Sequence, residues 1–294
     1  MKTLIVIAAI LLTMMQPTMA TETVNQATFA SLKQTVLLDN GISMSYVAFG
    51  DPKGEPILLL HGFTDNARSW SLMLPYLNKR NRIIAVDLRG HGKTTAPDCC
   101  YAFSDLAYDI KLFMDKMGIA NAHVIGHSLG SIVAQVTAES YPERVNKVVL
   151  ISSTSSVQQV FAEGGWLATE IQKLDKSPDP NSQFMNDWYA NEIPVNETFL
   201  KYERAESASV PLPVWRGVLA QGQITNFGIH LNKLKAPVLI LYGAHDTFFD
   251  KAAQAVLRTK IKDNQYVEFS NAGHNLLWEE PENTAAEISK FLEN

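Results

Sequence analysis

Ala122-His123-Val124-Ile125-Gly126-His127-Ser128-Leu129-Gly130-Ser131-Ile132-Val133-Ala134-Gln135-Val136 reads as an apolar strand, a G-x-S-x-G turn and the start of a helix. A serine at a sharp strand-to-helix turn is held in a strained conformation that exposes its hydroxyl. Glycines flank it where a Cβ would strike neighbouring chain. The five-residue pattern recurs by chance in many sequences, so its meaning comes from context: a strand before, a helix after, and two partner residues downstream. Ser128 is therefore the candidate nucleophile.

Such a nucleophile needs a base to take its proton and an acid to orient that base. In one of the known triad arrangements they follow in the order serine, acid, histidine. The chain supplies both. Pro237-Val238-Leu239-Ile240-Leu241-Tyr242 reads as a buried parallel strand followed by Gly243-Ala244-His245-Asp246, and Tyr266-Val267-Glu268-Phe269 as the next strand, followed by Asn271-Ala272-Gly273-His274. Sites in open parallel sheets lie outside the carboxyl ends of the strands, so loops holding Ser128, Asp246 and His274 can converge. Imidazole, with an unperturbed pKa of about 6.5, can accept the serine proton and return it to the leaving group. Asp250 is the rival acid. It equally fits as the N-cap of a helix starting at Lys251. His123, His127 and His230 are read as ordinary structural histidines, and His61 and His91 as residues that shape the site floor.

With these motifs in place, the chain resembles the α/β-hydrolase superfamily, in particular its capped carboxylesterases and lactonases. The resemblance spans nearly all of residues 36 to 294 and rests also on Leu60-His61-Gly62-Phe63 and Asp87-Leu88-Arg89-Gly90-His91-Gly92. It implies a catalytic triad of Ser128, His274 and Asp246. It also implies an oxyanion hole made by the backbone N–H groups of Phe63 and Leu129, with no cofactor and no metal.

Strand and helix patterns alternate along the chain, as in a doubly wound sheet. Strands are predicted near 35–39, 43–49, 56–60, 82–87, 122–126, 147–152, 237–242 and 265–270, the first two joined antiparallel through Asp39-Asn40-Gly41. Helices are predicted over 66–79, 104–117, 129–140, 251–260 and 282–293. The fold class expected is α/β: an eight-stranded, mostly parallel sheet flanked by helices. Residues 21–154 and 231–294 form the core domain, and 155–230, broken by five prolines and without a convincing strand, form a helical cap after strand 6. The cap is rich in large aromatic residues. Most pack against the core, while Trp166, Trp188 and Trp215 are the candidates to line an apolar substrate pocket.

The composition, 46% hydrophobic and 19% charged over 294 residues, is that of a soluble globular chain, and a formal charge of −5 argues against nucleic acid as a partner. Lys2, the apolar run Leu4 to Met15 and Thr18-Met19-Ala20 read as a signal peptide over residues 1–20, cleaved after Ala20, which predicts a periplasmic or secreted protein. Twelve apolar residues span about 18 Å as a helix, too short for the ~30 Å of a permanent membrane anchor. Cys99 and Cys100 are adjacent. In an oxidising compartment they form a vicinal bridge, stay free, or link two chains. The expected activity is hydrolysis of a small or medium, apolar carboxylic ester or lactone, with oligomeric state unassigned. Aspartate-nucleophile branches are excluded by Ser128. Carbon–carbon bond hydrolysis and a receptor-like, ligand-binding role stand as alternatives.

Overall fold

The computed structural model describes residues 23–293, so the expected signal peptide and its cleavage point lie outside the described residues. One sheet holds strands β1 (Gln34–Leu37), β2 (Ser43–Gly50), β3 (Pro56–Leu60), β4 (Arg82–Val86), β5 (Ala122–His127), β6 (Val145–Ile151), β7 (Val238–Gly243) and β8 (Asn264–Phe269). Their spatial order is β1-β2-β4-β3-β5-β6-β7-β8, antiparallel at β1/β2 and β2/β4 and parallel elsewhere. The central strands are dominated by apolar residues because both faces of the sheet are covered. Leu58, Leu59, Leu60, Val124, Ile125, Leu150 and Ile151 are all buried completely. The chain winds outward from β3 to β4 and then crosses back to place β5 on the other side of β3. The carboxyl ends of β3 and β5 therefore flank the crevice where the winding reverses.

Helices α1 (Phe103–Lys116) and α2 (Leu129–Ser140) pack side by side, and between β6 and β7 the chain builds four cap helices: α3 (Trp166–Lys173), α4 (Gln183–Trp188), α5 (Glu197–Ala208) and α6 (Leu212–Ile224). Helices α7 (Lys251–Lys260), α8 (Leu276–Glu279) and α9 (Pro281–Glu293) complete the core. The architecture is the expected eight-stranded α/β sheet with a helical insertion after β6.

The helix predicted over 66–79 is instead two short 3₁₀ turns, Ala67–Trp70 and Leu74–Tyr76. Side chains take the first free N–H groups, as a helix start would also require: Asn66 Oδ1 accepts from the Arg68 N–H, and Asp87 accepts from the Ala67 N–H at 2.8 Å. Pro75 has no N–H to continue a ladder. Asp87 also takes the Lys93 N–H and pairs with buried Lys33 at 2.9 Å, so this carboxylate fixes the loops after β3 and β4 together.

Cys99 and Cys100 are disulfide-bonded to each other on an exposed loop. Arg89, paired bidentately with Asp109 on α1 at 2.7 Å, donates to the Cys100 carbonyl and so ties that loop to the core. Beside it, buried Tyr101 sits against Gly217 of α6.

Candidate active site

The turn between β5 and α2 has the geometry its sequence demands. Ser128 adopts φ 50° and ψ −117°, a conformation uncommon outside glycine. Its glycine neighbours are sterically required: a Cβ on Gly126 would run into the Gly130 backbone, and one on Gly130 into the Leu60 carbonyl. The Ser128 N–H donates to the Ile151 carbonyl at 3.0 Å, and Ser131 N–H donates to the Ser128 carbonyl at 2.9 Å. The strained turn is thus held from both sides, and the Ser128 hydroxyl makes no hydrogen bond among the described residues.

His274 follows β8, and Asp246 follows β7. His274 Nδ1 donates to Asp246 Oδ2 at 2.8 Å, while Asp246 Oδ1 accepts the N–H groups of Phe248 and Phe249 at 2.8 and 3.0 Å. Asp250, the rival acid, caps α7: its carboxylate accepts the Ala253 N–H at 2.8 Å and it is exposed. Ser128 and His274 line the same pocket without a direct hydrogen bond between them, a separation that commonly closes only when substrate is bound. Phe63 and Leu129 line it too, and neither backbone N–H is taken up by a hydrogen bond among the described residues.

His274 is also held through its main chain. Its carbonyl accepts the Ser152 hydroxyl at 2.6 Å and His127 Nε2 at 3.0 Å. Burial, with the nearby His274, lowers the His127 pKa to about 3, so this ring is neutral and donates from Nε2. On the next residues, Glu279 accepts the N–H of Gly273 and that of Glu192 in the cap, and Asn275 donates to Asn191 at 2.9 Å. The histidine loop is therefore clasped to the cap segment 189–192.

His61 and His91 are buried and neutral. Burial lowers the His61 pKa well below its usual value and that of His91 to about 4. His61 Nδ1 donates to the Gly62 carbonyl and Nε2 accepts the Leu88 N–H, both at 2.8 Å, which pins the Phe63 loop against the loop after β4.

Of the three cap tryptophans expected at the pocket, only Trp188 lines it. Its indole N–H donates to Thr64 at 3.0 Å and its ring meets Phe63 and Phe248 edge-on. Trp215 is completely buried one layer back, where it supports Phe63 with ring centroids 5.3 Å apart. Trp166 lies outside, 43% exposed and stacked on the outer side of Trp188. Much of the remaining wall comes from Phe161, Leu167, Tyr189, Phe248, Phe249 and Trp278.

One acidic pocket residue was not anticipated. Asp65, two positions after Phe63, is buried in the lining. Tyr189 of the cap donates to its Oδ1 at 2.8 Å and Ser69 reaches Oδ2 at 3.4 Å. Burial pushes its pKa up to about 7 against the opposing pull of those hydrogen bonds. Its place in the H-G-F-T-D run was the available signal, but the partner that marks it, Tyr189, lies 124 residues away.

Residues 55–281 match the family model described as alpha/beta hydrolase fold. The chain is 28% identical over 289 residues to a 2-hydroxy-6-oxononadienedioate/2-hydroxy-6-oxononatrienedioate hydrolase of Paraburkholderia phymatum, covering 92% of this chain and 99% of that protein. Its fold is similar to an esterase from Exiguobacterium antarcticum (TM-score 0.78, 18% identity, 89% of this chain and 99% of that one). It is likewise similar to the enol-lactonase from Burkholderia xenovorans (TM-score 0.73, 20% identity, 89% and 100%).

Proposed function

The chain belongs to the α/β-hydrolase fold family, and on that premise we propose that it is a serine hydrolase that cleaves a small or medium carboxylic ester, cyclic esters included, through an acyl-enzyme. The observation that carries the reading is the shared pocket: Ser128 on its strained turn, the His274–Asp246 pair at 2.8 Å, and two unengaged N–H donors, Phe63 and Leu129. In this mechanism Ser128 Oγ attacks the carbonyl carbon as His274 Nε2 takes its proton. The oxyanion is received by the N–H groups of Phe63 and Leu129, each such donor contributing roughly 3 kcal/mol to the transition state. Collapse expels the alcohol, protonated by His274, and water enters by the same base catalysis to release the acid. Asp246 holds the imidazole with Nε2 free to accept and stabilises the imidazolium. No cofactor or metal takes part in this scheme.

Carbon–carbon bond hydrolysis is the competing reading, because the relative from Paraburkholderia phymatum is named as the hydrolase of a hydroxy-oxo-dioate, a compound whose name contains no ester. That name specifies a dioate, which carries two carboxylates. No lysine or arginine is among the residues that line this pocket, and Asp65 is, so the lining favours an ester over a dianion.

Enclosure by aromatic side chains makes substrate length the test. Along a series of acyclic esters and lactones, each added CH₂ is expected to raise kcat/KM about fourfold, the equivalent of 0.8 kcal/mol, until the chain outgrows the pocket and the rate falls. Activity that keeps climbing through long-chain lipids, or peaks on an insoluble polyester, would move the reading to a lipase or depolymerase.

Export is part of the proposal. Intact mass of protein recovered from a bacterial periplasm is expected to start at or near Thr21, and a full-length chain retained in the cytoplasm would overturn it.

A further inference from the structure

We propose that the ester this pocket takes carries a positively charged nitrogen, an ammonium group seated against aromatic faces and opposite Asp65; this deepens the ester-hydrolase reading and rests on it. The argument is one of unbalanced charge. Asp65 has no lysine or arginine partner among the described residues; of the two histidines near it, His127 at 4.0 Å is held neutral by burial and His274 is already paired with Asp246. Behind it Glu203 on α5 is fully buried, with neither carboxyl oxygen hydrogen-bonded among the described residues; burial pushes its pKa well up, so it is neutral and the charge to be balanced is that of Asp65 alone. The two nearest cations are committed elsewhere: Arg68 to Glu206, and Lys33 to Asp87.

Buried carboxyls without a cation are costly, and proteins ordinarily pair them. Once Asp65 is ionised, above its pKa of about 7, a bound cation can meet it from the pocket side. The walls there suit it. Tyr189, which bonds Asp65, is stacked on Trp278 at 5.7 Å, while Trp188, Phe63 and Phe248 supply further rings around the same cavity. Ring faces attract cations, most strongly when both are desolvated, and a carboxylate beside them adds a full opposite charge. A neutral ester would fill the cavity but leave Asp65 unpaired; an anionic one would meet a like charge. Asp65 has its pKa at about 7, so slightly alkaline assay conditions present it as the carboxylate.

The test compares 2-(trimethylammonio)ethyl butyrate with 3,3-dimethylbutyl butyrate, which has the same shape with carbon in place of nitrogen, at about pH 8. Each kcat/KM is divided by the ester's rate with hydroxide, to remove the difference in leaving group. The cationic ester is expected to be preferred by about tenfold or more, and Asp65→Asn to bring the ratio toward one. A parent protein that treats the two alike, or prefers the neutral ester, overturns the proposal even if Asp65→Asn fails to fold. If neither ester is turned over, and no ester or lactone of the length series is either, the ester reading itself fails. The cation site is then read separately, by calorimetric titration of Ser128→Ala protein with both compounds: preferential binding of the cation upholds it and equal binding sinks it.

Discussion

Ser128→Ala protein is expected to fold as the parent does and to lose ester hydrolysis by on the order of 10⁴-fold or more. The two halves of this expectation come from different observations. Folding should survive because the Ser128 hydroxyl makes no hydrogen bond among the described residues. The turn is held instead by backbone bonds to Ile151 and Ser131 and by the close approach of Gly126 and Gly130. Alanine keeps the Cβ, so the cost of φ 50° is already carried by the native residue. Activity should not survive, because no other serine, threonine, cysteine or lysine lines the pocket with His274. Water attacking directly would forgo the acyl-enzyme and leave only the oxyanion donors and binding to act. Thermal melting and kcat measured on the same preparation separate the two halves. A serine-directed organophosphate should add its mass to the parent at Ser128 and leave Ser128→Ala unlabelled. Unchanged turnover by the variant would remove Ser128 from the mechanism.

Much of this site was legible because its signals are local. The turn at Ser128 is specified within five residues, β3 and β7 announce themselves as unbroken apolar runs of the kind a doubly covered sheet requires, and β5 and β6 do so around His123 and Asn146-Lys147. Asp250 could be read as a cap because a cap bonds to its own helix, here Ala253, three residues on. The missed features depend on distant chain. Asp65 is a pocket residue only because α4 ends where Tyr189 can reach it, and Glu279 clasps the histidine loop only because Glu192 of the cap lies opposite. The cap tryptophans show the same limit. A tryptophan on a short helix is equally apolar whether it faces the cavity, as Trp188 does, the layer behind it, as Trp215 does, or the outside, as Trp166 does. Packing of the cap on the core selects among these, and no local pattern encodes it. The stretch 66–79 carries its own stop signal, because Pro75 has no N–H to continue a helical ladder.

Asp246→Asn and Asp250→Ala are expected to do opposite things, though the two acids lie four residues apart in one loop. Asp246 is buried, receives the His274 Nδ1 proton at 2.8 Å on one oxygen, and holds the N–H groups of Phe248 and Phe249 on the other. An asparagine there can keep its carbonyl on the two N–H groups, which turns its NH₂ toward His274. The imidazole must then offer Nδ1 as acceptor and carry its proton on Nε2, the nitrogen that has to accept from Ser128. With the wrong tautomer in place and no carboxylate to stabilise the imidazolium, kcat should fall by about 10⁴-fold while the fold persists. Asp250 is exposed and its carboxylate satisfies one N–H at the start of α7. Its replacement by alanine should cost about 1 kcal/mol of stability, a fall in Tm of about 2–4 °C for a chain of this size, and leave kcat near that of the parent. Measuring kcat and Tm on both variants decides between the acids, because an orienting carboxylate and a helix cap fail in different observables. A large loss of kcat in Asp250→Ala with near-normal turnover in Asp246→Asn would transfer the orienting role to Asp250 and require a loop arrangement in the working enzyme other than the one in which His274 meets Asp246.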